Sequence, residues 1–257
     1  MPGLRVPRII APIAGLMLIA PLVAACSSSG GAPGGAVKGS ITVYAASSLT
    51  EAFTTLQKRF QAAHPGTSIT FDFGASSDLA TQINNGAHVD VFAAASTTTM
   101  AEVTSAQHPA TFATNTLEIA TPPGNPAHIS SLADLAKPGV KVAVCDPAVP
   151  CGAVAQTVLQ NAKLTVKPAA DESDVKSVVA AIQSNEVDAG LIYVSDVREA
   201  GSAVHGVPIP AALNSTTTYQ IATLKDAPNA ATAKAFVALV RSSTGRQVLN
   251  ADGFGRG

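Results

Sequence analysis

Four short stretches set small residues and hydroxyls at the step from a strand or loop into a helix: Ala46-Ser47-Ser48-Leu49, Gly74-Ala75-Ser76-Ser77-Asp78, Val149-Pro150-Cys151-Gly152 and Glu172-Ser173-Asp174-Val175. The first turn of a helix carries unpaired N–H groups and a partial positive charge, so it holds an anion without Lys or Arg. Taken singly, Ser47, Ser76, Pro150 and Ser173 are ordinary caps or first-turn residues. Taken together, converging starts would build an oxyanion cage. A tetrahedral oxyanion that is fully deprotonated near pH 7 only accepts hydrogen bonds, whereas hydrogen phosphate keeps a proton that needs an acceptor. A cage of hydroxyls and amides therefore disfavours phosphate. At ~1.5–3 kcal/mol for each hydrogen bond to a charged group, five would support binding of about −8 kcal/mol after desolvation.

Other chemistries fit the sequence less well. Cys145 could act as a nucleophile, but a cysteine phosphatase wants an Arg six residues on, and that position is Cys151. No G-x-S-x-G elbow is present for a serine hydrolase. The five histidines, His64, His88, His108, His128 and His205, stand in turn-like segments without paired metal-ligand spacing. Tyr44, Tyr193 and Tyr219 are isolated, so no adjacent tyrosine pair suggests a ferric site. Charged residues make up 13% of the 257-residue chain, with a net charge of −1, too little basic surface for nucleic acid. Aromatics are 4% with no Trp, which counts against stacking sites for sugars or bases. A small polar ligand, no catalytic residue and no cofactor are expected.

The elements that must position these residues follow a strand-helix rhythm. Strands are expected at 41–46, 68–73, 89–94, 117–120, 140–144, 189–194 and 219–223, and helices at 49–63, 78–85, 97–106, 131–136, 152–161, 175–183 and 229–241. This alternation is the pattern of an α/β protein with a largely parallel sheet. Ahead of it, Arg5 and Arg8 precede an apolar stretch interrupted by Pro12 and Pro21, which ends in Val23-Ala24-Ala25-Cys26. That arrangement looks like a bacterial lipoprotein signal over 1–25, with Cys26 the lipidated first mature residue. A flexible linker follows over 26–39, from a run rich in Ser and Gly. Only Cys145 and Cys151 then remain as thiols, and a short-loop disulfide between them is left open.

The order and spacing of ITVYAASSLTEAF, FGASSDLATQI, GAHVDVFAAAS, VCDPAVPCGAVA, DVKSVVAAIQSNEVDAGLIYVSD and RQVLNADGFG resemble the molybdate-binding proteins of bacterial ABC importers. The resemblance implies a type II periplasmic-binding-protein fold: two lobes, each a mostly parallel sheet flanked by helices, with the ligand in the cleft between. Lobe 1 would be 40–117 with 219–257, and lobe 2 would be 118–218. It implies a ligand set of the Ser48 hydroxyl, the Ser76 hydroxyl (Ser77 the one-position alternative), the Cys151 and Val175 amides and the Tyr193 hydroxyl. The family usually has a small residue where Cys151 stands. Molybdate or tungstate would be the ligand, with sulfate or another tetrahedral oxyanion the alternative. The partners would be a membrane permease and, through lipid on Cys26, the outer face of the cell membrane. Such proteins usually act as monomers. Asp174, beside Val175, is expected to cap its helix and not to face the anion.

Overall fold

The alternation of Ile41, Val43 and Ala45 with more exposed neighbours sends these three side chains to one face of strand β1 (Gly39–Ala46), where they are buried. β1 lies parallel to β2 (Thr67–Gly74) on one side and to β3 (Val91–Ala94) on the other in the computed structural model, which describes Gly3 and residues 36–257. The signal-like segment, Cys26 and the linker as far as residue 35 lie outside the described residues. A 3-10 turn, Ser47–Leu49, passes directly into α1 (Thr50–Ala63), whose helical period buries Ala52, Phe53, Leu56 and Phe60. The chain reverses at Pro65-Gly66, where Gly66 takes φ +87°, a conformation open to glycine. α2 (Ser76–Asn84) and α3 (Thr97–Glu102) flank β3 in sequence.

The second half opens with β4 (Ala106–Thr121), a 16-residue strand. Its first part pairs antiparallel with β9 (Thr216–Leu224), and its last part, from Leu117 to Ala120, with β7 (Ala189–Tyr193). β5 (Val142–Cys145) runs parallel to β6 (Ala170–Glu172) and to β7, and both β5 and β7 are buried along their whole length. Continuous apolar runs of this kind are what helix-covered parallel strands require. α4 (Pro150–Asn161) follows β5, α5 (Val175–Gln183) follows β6, and α6 (Val194–Ala200) starts straight off β7. After β8 (His205–Pro208), β9 returns the chain to α7 (Ala230–Arg241), α8 (Ser243–Ala251) and β10 (Gly255–Arg256).

The strand order is β2-β1-β3-β9-β4-β7-β5-β6, with β8 and β10 paired to β4. This is a mixed α/β architecture, with helices flanking a sheet that is parallel at both ends and antiparallel in the middle. The largely parallel pairing expected holds for the outer strands, while every pairing that involves β4 or β9 is antiparallel. The reason is topological: the chain leaves the first half along β4 and comes back beside it along β9. Buried apolar side chains fall accordingly into groups, one built from 117–209 with Ala75, the others from 41–113 and 219–254. Ala75 thus packs from the first half into the core of the second.

Two glycines bring helix starts close to the strands. A Cβ on Gly152 would lie 1.9 Å from the carbonyl oxygen of Asp146, and one on Gly190 would lie 2.7 Å from Val178 Cγ1. Their absence lets the first turn of α4 sit against the loop after β5 and lets α5 press onto β7. Cys145 and Cys151 form a disulfide, tying the end of β5 to the first turn of α4.

Candidate oxyanion site

The four helix starts meet. One cavity is lined by Ser47 and Ser48 from the turn after β1, Ala75 and Ser76 from the start of α2, Pro150 and Cys151 from the start of α4, Asp174 and Val175 from the start of α5, and Tyr193 from the end of β7. Ser48, Ser76, Cys151, Val175 and Tyr193, the five residues assigned from sequence, are all brought together, each no more than 5% exposed. Ser77, the alternative to Ser76, does not line the cavity. The cavity volume is about 20 Å³, against about 260 to 320 Å³ for four other pockets. Such a space suits a ligand of a few heavy atoms and not a sugar phosphate or an amino acid.

Each group is oriented by its local structure. Pro150 is the first residue of α4, where its missing N–H costs nothing, and the Cys151 amide follows as one of the first-turn donors. Asp174 is the N-cap of α5, and its carboxylate accepts the N–H of Lys176 at 2.7 Å and of Ser177 at 3.1 Å. The capping expected of it is met through Oδ1, but Asp174 also lines the cavity and does not simply face away from it, and the Val175 N–H ahead of both amides is left without that partner. Ser76 Oγ accepts the Ala95 N–H at 3.0 Å, which leaves its own hydrogen to be given away. Ser48 Oγ lies 2.8 Å from Tyr219 Oη in a buried contact.

Tyr193 carries the most pointed signal. Its phenolic oxygen is buried and, among the described residues, makes no hydrogen bond of normal geometry, although the Tyr219 phenol stands close by. A buried polar group left unmet costs about 1–3 kcal/mol and calls for an explanation, which an acceptor in the cavity would supply. Burial pushes the phenol well above its ordinary pKa, with Tyr219 and Asp196 adding to the shift, so it remains a donor. The lining holds no Lys, Arg or His, so attraction for an anion rests on hydroxyls and helix-start amides.

Behind the cavity lies a buried carboxyl. Asp196, fully buried in the first turn of α6, has its pKa pushed up to about 6 by burial, opposed by Lys176 Nζ at 2.9 Å. Lys176 also pairs with Glu199, joining α5 to α6. Sequence reasoning passed over this group and Tyr219, because their partners are distant in the chain. Period-2 burial of Thr217, Tyr219 and Ile221 does mark the Tyr219 side chain as inward-facing.

Comparison with known proteins adds a separate line. The family described as bacterial extracellular solute-binding protein matches residues 41–255. Molybdate-binding protein ModA of Mycobacterium tuberculosis (strain ATCC 25618 / H37Rv) is 41% identical over 247 residues, covering 93% of this chain and 95% of its own. ModA of Escherichia coli (strain K12) is 30% identical over 235 residues, covering 84% of this chain and 89% of its own. Among solved structures, the Azotobacter vinelandii periplasmic molybdate-binding protein superposes with TM-score 0.74 at 20% identity, covering 83% of this chain and 98% of its own. The sulfate-binding protein SubI from Mycobacterium tuberculosis H37Rv superposes with TM-score 0.72 at 16% identity, covering 84% and 86%. At these identities the two structures speak for the fold alone.

Proposed function

Since the chain belongs to the bacterial extracellular solute-binding protein family, we propose that it captures molybdate or tungstate outside the cytoplasm and delivers it to the membrane permease of an ABC importer. The anion is held by the Ser48, Ser76 and Tyr193 hydroxyls and by the Cys151 and Val175 amides. The observation that carries this reading is the buried Tyr193 hydroxyl, which lines a small cavity and makes no hydrogen bond of normal geometry among the described residues. Every group assigned to the ligand is a donor, which matches an anion with four acceptor oxygens and no proton. The relatives named for molybdate support that choice of oxyanion.

The two lobes are 40–117 with 219–257, and 118–218. Ser48 and Ser76 belong to one, and Cys151, Val175 and Tyr193 to the other, so the contacts are complete only when the lobes meet. Ligand binding then selects the closed form that the permease reads. Lipid on Cys26 anchors the monomer to the outer face of the membrane, and the linker holds the folded part clear of it.

Calorimetric titration with molybdate, tungstate, sulfate and phosphate tests the reading. One-to-one heat with the first two at sub-micromolar Kd, and little with the others, is the expected result. Preference for sulfate would change the nutrient, and silence with all four would overturn oxyanion capture.

A further inference from the structure

Ser48 has one hydrogen and two lone pairs, and the direction of its contact with Tyr219 decides what it offers the cavity. Tyr219, on β9, is fully buried. Its ring packs edge-on to Phe254 at 5.3 Å and lies 6.2 Å from the ring of Tyr193. Its one hydrogen bond of normal geometry among the described residues is the 2.8 Å contact with Ser48 Oγ. Were Ser48 the donor there, the Tyr219 hydrogen would have only the neighbouring Tyr193 phenol to turn to, and Ser48 would present only lone pairs to an anion. With Tyr219 as donor, both difficulties disappear. Asn115, which approaches the same phenol, gives its amide hydrogen to Ser195 Oγ at 2.8 Å, and so helps to fix the surroundings of the ring.

We propose that Tyr219 is a positioning residue for oxyanion capture: it donates to Ser48 Oγ, turns the Ser48 hydrogen toward the cavity, and so sets selectivity against protonated oxyanions. The inference rests on the oxyanion reading above. Tyr219 contacts Ser48 from one lobe and Tyr193 from the other, and acts on the ligand only through them. Burial keeps the phenol protonated far above neutral pH, so the donor is constant across the range where hydrogen phosphate and its monoanion exchange. Without it, Ser48 Oγ is free to accept from a protonated oxygen, and discrimination against phosphate narrows.

The test is a double-mutant cycle by calorimetry on wild type, Tyr219→Phe, Ser48→Ala and the double variant, each with molybdate and with phosphate. Tyr219→Phe is expected to weaken molybdate about 3- to 10-fold, the equivalent of one net hydrogen bond. It is also expected to narrow the molybdate-to-phosphate ratio beyond the loss in molybdate alone. In the Ser48→Ala background it should cost less than about 2-fold. The same loss in both backgrounds would make Tyr219 a packing residue and overturn the proposal, as would a Tyr219→Phe protein that binds like wild type. A wild type giving no heat with any oxyanion would overturn the functional reading itself, and the proposal with it. Should Tyr219→Phe fail to fold, the unmutated protein labelled with 13C at the tyrosine ring carbon bearing oxygen supplies the answer by NMR. A slowly exchanging Tyr219 hydroxyl hydrogen close to Ser48 is expected, and a rapidly exchanging one would overturn the assignment.

Discussion

At the scale of single residues, the site is an exercise in hydrogen-bond accounting. Ser76 accepts from Ala95 and so keeps its own hydrogen to give, while the Asp174 carboxylate accepts two amides of its own helix. Ser48→Ala should weaken oxyanion binding by about 1–3 kcal/mol. Tyr193→Phe should do the same while leaving the ligand-free protein as stable as before or more so, since it removes a buried hydroxyl that makes no hydrogen bond of normal geometry among the described residues. Titration and thermal melting of each variant check this; a destabilised ligand-free Tyr193→Phe protein with normal affinity would count against the role. The four helix starts were legible in the sequence because small residues and hydroxyls leave a local signature there, and it was the resemblance that singled out Ser48, Ser76, Cys151 and Val175 among them. Tyr219 was not, because its partner Ser48 is 171 positions away and only the fold brings them together.

At the scale of elements, legibility followed local pattern. α5 was readable to its ends because its apolar period is clean and Asp174 caps it. The first part of β4 was hidden by its polar Thr, His, Asn and Pro109 residues, and the helix expected to reach 106 ends at Glu102. α6 escaped because it begins on the residue after β7 with no intervening turn, and β6 because three residues carry too little pattern. The disulfide, left open by spacing alone, stiffens the start of α4. Replacing both Cys145 and Cys151 by Ser should lower stability by about 2 kcal/mol, as for a loop of this length, yet change molybdate affinity only a few-fold if the proposed contact is the Cys151 amide. Denaturant unfolding and titration decide it, and a collapse of affinity would implicate the sulfur atoms or the bridge itself.

The junction of α5 and α6 carries a pH signature. In the native state the Asp196 carboxyl titrates at about 6, and in the unfolded chain at ~3.9. The folded form therefore holds this proton more tightly. The associated stability is fully present below about pH 4 and is lost as pH rises through about 6. Asp196→Asn removes that dependence, so its stability relative to wild type should improve by up to ~3 kcal/mol between pH 4 and pH 7. Denaturant unfolding at the two pH values measures it; a constant difference would mean that Lys176 holds the carboxylate charged throughout.

At the scale of the whole molecule, β4 contributes both to the buried cluster of 117–209 and to one from the flanking parts, and the cavity lies where helix starts from 46–76 and from 149–175 converge. The antiparallel pair of β4 and β9 is the path between them, and its character followed from chain direction more than from any local propensity. On the far side, Arg198 of α6 reaches the carbonyls of Asn250 and Ala251 at the end of α8, at 3.5 and 3.3 Å. A ligand that completes its contacts only on closure should shrink the protein, and small-angle scattering with and without molybdate should show a lower radius of gyration in its presence. Equal radii would mean a site formed in advance. The account turns on five donors meeting one oxyanion, and the most direct measurement is a crystal structure of the protein with molybdate, located by the anomalous signal of molybdenum. The expected result is one peak in the cavity with ligand oxygens roughly 2.7–3.2 Å from Ser48 Oγ, Ser76 Oγ, Tyr193 Oη and the Cys151 and Val175 nitrogens. A peak elsewhere, or an anion in the cavity that Tyr193 does not touch, would contradict it.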